Sequence, residues 1–150
     1  MKEIVILGAG YGGLSALRIL QKTKANIHIT LIDRNDYHYR SVRLEEVASG
    51  AISKRKATFP LKEVEDKKTT FIQATVTKID PENKLVHLEH HAPVEYDYAI
   101  VSLGFHSETF GIKGALANSL QMDDINSALK IHQHIVTEMK EYAQDHDENH

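Results

Sequence analysis

Cysteine is absent from this chain of 150 residues, and so is any long hydrophobic run. The missing cysteines exclude disulfide bonds, cysteine nucleophiles and thiolate metal sites. No apolar segment approaches the ~18 residues that a membrane-spanning helix needs. The formal net charge of −3 gives no excess of positive charge for nucleic acid. The N-terminus leads directly into a predicted strand and leaves no room for a signal peptide, so we expect a cytoplasmic protein.

A glycine-rich turn between a strand and a helix is the main feature of the N-terminal region. The apolar run from Ile4 to Leu7 is typical of a strand buried on both faces of a parallel sheet. Gly8, Gly10 and Gly13 follow with the G-x-G-x-x-G spacing, and a helical pattern begins at Leu14. In dinucleotide-binding proteins the three glycines permit a sharp turn, the approach of a pyrophosphate and close helix packing, respectively. The phosphates then lie at the helix N-terminus, among unpaired N–H groups.

The residues after this turn complete the pattern of a βαβ unit. Ile27 to Ile32 predict a second strand, and Asp33 ends it 20 positions after Gly13. A carboxylate at this place accepts hydrogen bonds from an adenosine ribose. The alternative role of Asp33 is to bind its own backbone in a turn. Tyr11 either lines the pyrophosphate site or only covers the start of the helix.

The rest of the chain lacks further βα repeats. Between residues 70 and 104 there is no room for a helix, so we predict an antiparallel meander there. An apolar stripe predicts a final helix that Asp123 or Asp124 caps. The predicted elements are a loop at 36–40, a short helix at 42–48, a chain break at 59–60, a helical turn at 61–66, a β-rich stretch at 71–79, turns at 80–83 and 91–93, strands at 85–88 and 98–101, a loop at 105–122 and a polar, frayed tail at 144–150. The stripe of the final helix consists of Ile125, Leu129, His132, Ile135, Met139 and Tyr142.

The ten histidines do not predict a metal site. His132 and His134 are two residues apart on a helix and therefore lie on different faces, unlike ligand pairs spaced by four. His90 and His91 precede a proline in a predicted surface turn. Ser102 has no base suggested by the sequence, so serine nucleophile chemistry is not expected.

This order of elements resembles the first FAD-binding segment of the two-dinucleotide-binding flavoprotein reductases. Ser102-Leu103-Gly104 stands where that superfamily often has Ala-Thr-Gly. Within it, several segments resemble type II NADH dehydrogenases: residues 6–14, 31–38, 46–50, 96–98, 102–105 and 108–114. Glu45 departs from the histidine usual in that family, and Arg43 stands where a lysine is common. Residues 40–50 carry no redox cysteine pair, which excludes the dithiol chemistry of the disulfide reductases of this superfamily.

The resemblance implies a Rossmann-like α/β FAD-binding domain, with a mostly parallel sheet and a three-stranded antiparallel meander at about 72–96. Residues 1–122 would form the N-terminal part of this domain. Residues 123–150 would form a connecting helix and tail that lead toward an NAD(P)H-binding domain. Because the chain has no second GxGxxG motif, we expect an N-terminal portion of a longer protein, with NADH bound by a region outside it.

The resemblance also implies a function, namely hydride transfer from NADH to FAD and electron transfer to a quinone. It implies peripheral membrane contact of the full-length protein and allows a homodimer. We expect no catalytic residue in this chain. The residues expected to contact FAD are Gly8, Gly10, Tyr11, Gly12, Gly13, Asp33, Arg34, Arg43, Val76, Ser102 and Gly104. The alternatives are a non-catalytic nucleotide-sensing Rossmann module and a flavoenzyme of the ferredoxin- or rubredoxin-reductase type.

Overall fold

The computed structural model describes residues 1–145, and the chain divides into two compact units. The first unit comprises residues 1–38 and 60–104, and the second comprises residues 39–59 and the segment from Phe105 onward. The strands are β1 (Lys2–Leu7), β2 (Ile27–Asp33), β3 (Tyr37–Tyr39), β4 (Thr58–Pro60), β5 (Thr69–Gln73), β6 (Val76–Asp80), β7 (Leu85–Leu88), β8 (His91–Glu95) and β9 (Tyr98–Val101). The helices are α1 (Tyr11–Lys22), α2 (Leu44–Ala48), α3 (Lys54–Ala57) and α4 (Ile125–Asp145), with 3-10 turns at Ser41–Arg43 and Leu61–Val64.

A four-stranded parallel sheet forms the centre of the first unit, in the order β5-β2-β1-β9. Ile6, Leu31 and Ile32 in its two middle strands are fully buried, as their uninterrupted apolar runs predict. Helix α1 connects β1 to β2 and buries Leu14 and Leu17. The predicted βαβ start is therefore confirmed. The helix begins at Tyr11, three residues before the start of the predicted apolar pattern.

The β-rich stretch at 71–79 is two strands in two different sheets, and its prediction as one stretch is wrong. β5 pairs in parallel with β2, whereas β6 pairs in antiparallel fashion with β7. The Ala74 N–H donates to the Asp33 carbonyl oxygen at 2.9 Å, where β2 ends. The chain leaves the parallel sheet directly after this bond.

The predicted antiparallel meander is present as a three-stranded sheet in the order β6-β7-β8. Its second turn lies earlier than predicted, because His90 adopts a positive φ of 58° and β8 already begins at His91. Pro93 therefore lies within a strand. This position tolerates proline because β8 is at the edge of its sheet, where a missing N–H leaves no partner unsatisfied.

One hydrophobic cluster joins the two sheets of the first unit. Val5, Leu7 and Ile32 of the parallel sheet share it with Val86 and Leu88 of the meander. Because these side chains leave water together, neither sheet buries its apolar face alone. The meander is thus part of the core of the first unit.

Helices α2 and α4 pack against each other in the second unit. Val47 of α2 is buried, as are Ile125 and Ala128 of α4. The Ser127 N–H donates to the Asp124 carboxylate at 2.8 Å, so Asp124 caps α4 as predicted. The predicted short helix at 42–48 is confirmed as a 3-10 turn followed by α2.

The predicted apolar stripe of α4 is largely exposed. Ile125 is buried and His132 is half-buried, but the other four residues of the stripe are 37–68% exposed: Leu129, Ile135, Met139 and Tyr142. Ala128, which is not part of the predicted stripe, is fully buried, and the stripe residue His132 lies beside the end of α2, with its Nδ1 3.2 Å from the Ala48 carbonyl oxygen. α4 also extends to Asp145, beyond the predicted end of the helix, and the remaining tail at 146–150 lies outside the described residues.

Three short segments also differ from their predictions. The predicted loop at 36–40 contains strand β3, which pairs with β4. The predicted break at 59–60 lies inside β4. β9 is a strand as predicted, but it is at a sheet edge, and Tyr98 and Val101 are 62% and 59% exposed rather than buried.

Candidate functional site

The turn after β1 has a backbone geometry that only glycine adopts without strain. Gly8 has a φ of +96°, and its N–H donates to the Ile32 carbonyl oxygen at 2.8 Å. A Cβ atom at Gly8 would lie 2.2 Å from the Ser102 carbonyl oxygen. The turn therefore passes directly between the ends of β2 and β9.

Helix α1 packs very closely on the end of β1. A Cβ atom at Gly13 would lie 1.9 Å from the Gly8 carbonyl oxygen, which is well inside any allowed contact. A Cβ atom at Gly12 would lie 3.7 Å from the Ser102 Cβ, an ordinary van der Waals distance. The packing role predicted for Gly13 is therefore present in the structure, and Gly12 carries no such restriction.

Gly10 faces open space at the start of α1. No atom lies within 4 Å of the position that its Cβ would take, and its φ of −73° is accessible to any residue. The first backbone bond of the helix runs from the Leu14 N–H to the Gly10 carbonyl oxygen at 3.0 Å. The N–H groups of Tyr11, Gly12 and Gly13 thus have no acceptor within the helix. No side chain caps this end, and its first turn has no acidic residue, so the site fits an anion.

Asp33 binds the backbone of the glycine turn. Its Oδ2 accepts the Ala9 N–H at 2.7 Å, and its Oδ1 accepts the Asn35 N–H at 2.8 Å. The backbone role that we set against ribose binding is therefore real. A carboxylate offers about four acceptor positions, so these two bonds leave capacity for hydroxyl donors. Its contact with a ribose stays a prediction.

Ser102 connects the end of β9 to the same turn. Its hydroxyl lies 2.9 Å from both the Leu7 and the Gly8 carbonyl oxygens and donates to this pair. Its N–H donates to the Leu7 carbonyl oxygen at 2.8 Å. Gly104, two residues on, has a φ of +85° with open space beside it. The Ser-Leu-Gly segment therefore borders the glycine turn.

His38 is a residue of this site that the sequence reading missed. It is 5% exposed, and its Nδ1 lies 2.8 Å from the Ala9 carbonyl oxygen. The Tyr11 ring meets the His38 ring edge-on, with centroids 5.2 Å apart. The signal in the sequence is the Tyr-His-Tyr alternation of β3, which places the middle residue on the opposite face from its neighbours.

The other predicted contact residues lie in different surroundings. Arg34 follows Asp33 and is exposed, and its carbonyl oxygen accepts the Gln73 side-chain N–H at 3.3 Å. Val76 is half-buried at the start of β6 and packs on the hydrophobic cluster of the first unit. Their contact with a cofactor stays a prediction.

Arg43 belongs to the second unit, where its guanidinium forms a two-bond ion pair with Glu46. The Nε and Nη2 groups donate to the two carboxylate oxygens at 2.6 and 2.8 Å. This hydrogen bonding raises the pKa of Arg43 and lowers the pKa of Glu46. The structure thus shows a carboxylate as the partner of Arg43, and the predicted contact with a flavin nucleotide stays a prediction.

The family model for pyridine nucleotide-disulphide oxidoreductases matches residues 2–142 of this chain. The chain belongs to this family. The match spans both compact units, so the second unit is as much a part of the family pattern as the glycine turn.

Curated relatives define the resemblance more closely. The chain is 40% identical over 145 residues to a type II NADH:quinone oxidoreductase of Staphylococcus saprophyticus, and 38% identical to one of Staphylococcus aureus. These matches cover 95% of this chain but 36% of each relative. The chain therefore spans about a third of the length of the enzymes that it resembles.

Solved structures show the same fold. NDH2 of Plasmodium falciparum in complex with NADH matches 99% of this chain and 31% of its own, with a TM-score of 0.85 and 25% identity. The NADH:rubredoxin oxidoreductase of Clostridium acetobutylicum matches 91% of this chain and 36% of its own, with a TM-score of 0.73 and 26% identity. The sulfide:quinone oxidoreductase of Aquifex aeolicus, at 23% identity and a TM-score of 0.81, supports the fold alone.

Residues 1–145 contain neither a membrane-spanning helix nor a cluster of metal-ligating side chains. None of the helices described there has the length and apolar character to cross a membrane. The same residues hold no group of three or more His, Cys, Asp or Glu side chains that could bind a metal ion.

Proposed function

We propose that this chain forms the FAD-binding part of an NADH:quinone oxidoreductase. The observation that carries the proposal is the open space at Gly10, beside three helix N–H groups without an intrahelical acceptor. A Cβ at this position would occupy the space without meeting any protein atom, which is the condition expected where a ligand approaches the backbone. The similarity to type II NADH:quinone oxidoreductases over 95% of the chain supports FAD as that ligand.

The residues of the first unit would each hold a different part of the cofactor. The N–H groups of residues 10–13 would bind the diphosphate, and Asp33 would accept bonds from the adenosine ribose. Ser102 and Gly104 would border the nucleotide. When bound, the flavin would supply the redox chemistry, namely hydride transfer from NADH and electron transfer to a quinone. The chain itself would orient the cofactor and exclude water from it.

The meander favours a flavoprotein over a nucleotide-sensing Rossmann module. A sensor built on this opening would continue with alternating strands and helices, which give a parallel sheet. After β5, however, the chain forms three antiparallel strands without a helix. The domain boundary near residue 122 belongs to the same proposal.

The electron acceptor has a second candidate. The rubredoxin-reducing relative has the same fold and similar coverage, so a rubredoxin or a ferredoxin is the alternative to a quinone. The higher identity to the quinone reductases supports the quinone. We propose further that the NADH-binding region, a homodimer contact and a peripheral membrane contact belong to the full-length protein.

Replacing Gly10 by alanine tests the proposal directly. Because the backbone angles suit alanine and no protein atom is near, G10A should lower the free energy of unfolding by less than about 1 kcal/mol, the cost of a poorer N-cap. The added methyl group should weaken FAD binding at least about tenfold, since it lies where the diphosphate approaches. Quenching of flavin fluorescence measures the affinity, and urea unfolding measures the stability.

G12A is the matched control, because its Cβ would lie at an ordinary 3.7 Å from the Ser102 Cβ and the substitution keeps the Gly12 N–H that we propose for the diphosphate. It should leave the FAD affinity within about twofold of the wild-type value. Equal FAD binding by G10A and wild type would refute the proposed site. Stabilisation of the wild-type chain by NADH or ATP, without any response to FAD, would favour the sensor module instead.

A further inference from the structure

The peptide groups of the glycine turn are held by side chains from outside the turn. Asp33 accepts the Ala9 N–H, and the Ser102 hydroxyl binds the Gly8 carbonyl oxygen. These two bonds fix the N–H and the C=O of the same peptide group, Gly8–Ala9. The next peptide group, Ala9–Gly10, is held at its carbonyl end by His38 at 2.8 Å.

His38 must act as the donor in this bond. A carbonyl oxygen has lone pairs and no proton, so Nδ1 carries the hydrogen. The ring is buried, and the edge-on contact with Tyr11 supports it from the side. A side chain enclosed in this way loses little further freedom when it holds the Ala9 carbonyl oxygen.

The orientation of one peptide group then fixes the direction of the Gly10 N–H. In a trans peptide the C=O and N–H bonds point in opposite directions, and the Ala9–Gly10 bond is trans. With its carbonyl oxygen turned toward His38, the peptide group directs the Gly10 N–H away from His38. Open space lies beside Gly10.

We propose that His38 is a positioning residue for the bound diphosphate, because its Nδ1–H holds the Ala9–Gly10 peptide group so that the Gly10 N–H faces the ligand. This inference rests on the proposed function. It assigns a role to a side chain that touches the turn and need not touch the cofactor. An anion bound by a preorganised N–H gains affinity because the backbone is already ordered.

Two substitutions of His38 distinguish the effect of its hydrogen-bond donor from the effect of its volume. Asn can place its side-chain N–H close to the position of Nδ1, whereas Leu fills a similar volume without a donor. H38L should weaken the binding of ADP by about fivefold to tenfold, as expected for one lost hydrogen bond. H38N should restore most of that affinity. Adenosine, which lacks phosphate, should bind both variants as it binds the wild type.

Equal loss of adenosine and ADP affinity in H38L would show a general structural role and overturn the inference. So would equal ADP affinity of H38L, H38N and the wild type. Failure of the wild-type chain to bind FAD or ADP would instead refute the proposed function, so the two failures are distinguishable.

A measurement on the wild-type chain covers the case in which H38L does not fold. In a 15N-labelled sample, ADP should shift the amide resonance of Gly10 strongly, and adenosine should shift it little. An unchanged Gly10 resonance under saturation with ADP would overturn the inference.

Discussion

Glycines after β1 and glycines in the 105–122 segment serve different physical needs. At Gly8 and Gly13 a side chain would collide with backbone oxygens at 2.2 and 1.9 Å. Gly111 also has a positive φ, of 70°, but no atom lies within 4 Å of its would-be Cβ. Close contacts exclude a side chain at Gly8 and Gly13, whereas at Gly111 only the backbone conformation favours glycine. The glycine turn is therefore a tightly packed junction, whereas the surroundings of Gly111 are open.

The largest difference should appear when alanine replaces a glycine of the packed junction. In G13A the new methyl group meets the Gly8 backbone, which cannot move without breaking the sheet, so the free energy of unfolding should fall by about 3 kcal/mol. The control G12A should raise it by about 0.5 kcal/mol, because alanine is a better helix former. Urea unfolding followed by circular dichroism measures both, and equal stabilities would contradict the close packing of α1.

A smaller loss should follow from alanine at Gly111. Only the left-handed backbone conformation opposes the substitution there, so the cost should be about 1 kcal/mol. G111N is the control, because asparagine tolerates this conformation and should recover part of the loss. The same urea titration applies. A loss in G111A as large as that in G13A would mean that the 105–122 segment is packed as tightly as the glycine turn.

The smallest effect should be a change in the acid dependence of stability. The hydrogen bond from Lys2, followed by the bond from the Glu3 N–H, lowers the pKa of Asp97 in the first unit. A carboxyl whose folded pKa is depressed stabilises the protein above its unfolded pKa of about 3.9, and this contribution is lost as the pH falls through the folded pKa. The melting temperature of D97N should therefore fall less steeply than that of the wild type below about pH 4.

Glu46 provides the matching carboxylate in the second unit. Its pKa is lowered chiefly by the hydrogen bond from Arg43, without a backbone N–H among the causes. We expect E46Q to reduce the fall of the melting temperature at acidic pH less than D97N does, because Asp97 also accepts a bond from the Glu3 N–H. Melting curves between about pH 2 and pH 6 compare the two. A larger effect of E46Q than of D97N would contradict the prediction that Asp97 contributes more than Glu46 to the acid dependence of stability.

The sequence predicted best the parts whose partners lie nearby along the chain. The buried run of β1, the glycine spacing and β2 follow one another within about thirty residues, and their pattern is complete. The break between β5 and β6 could not be predicted from the sequence, because apolar and β-branched residues continue on both sides of Ala74. The last backbone bond between β2 and β5 runs from the Ala74 N–H to the Asp33 carbonyl oxygen, and the pairing stops there. Strand pairing of this kind is not encoded in local composition.

The buried face of α4 and the contact of His38 could not be predicted from the sequence pattern either. The periodicity of α4 predicts an apolar stripe, but four residues of that stripe are exposed and the fully buried Ala128 lies outside it. His38 binds a backbone oxygen, which every residue offers, so no complementary residue in the sequence points to it. Of the candidate site, the glycines and Asp33 were predictable, and the contacts that hold the turn in place were not.

The hydroxyl bond from Ser102 to the Gly8 carbonyl oxygen has a consequence for the order of events during translation. The two residues are 94 positions apart, so the glycine turn forms its bond with Ser102 only after 94 further residues have been synthesised. At about 5–20 residues per second, a ribosome needs roughly 5–19 seconds to proceed from Gly8 to Ser102. Until then the side of β1 that β9 will occupy has no strand to pair with. During this interval the nascent chain exposes an unpaired strand edge, which favours association with other polypeptides.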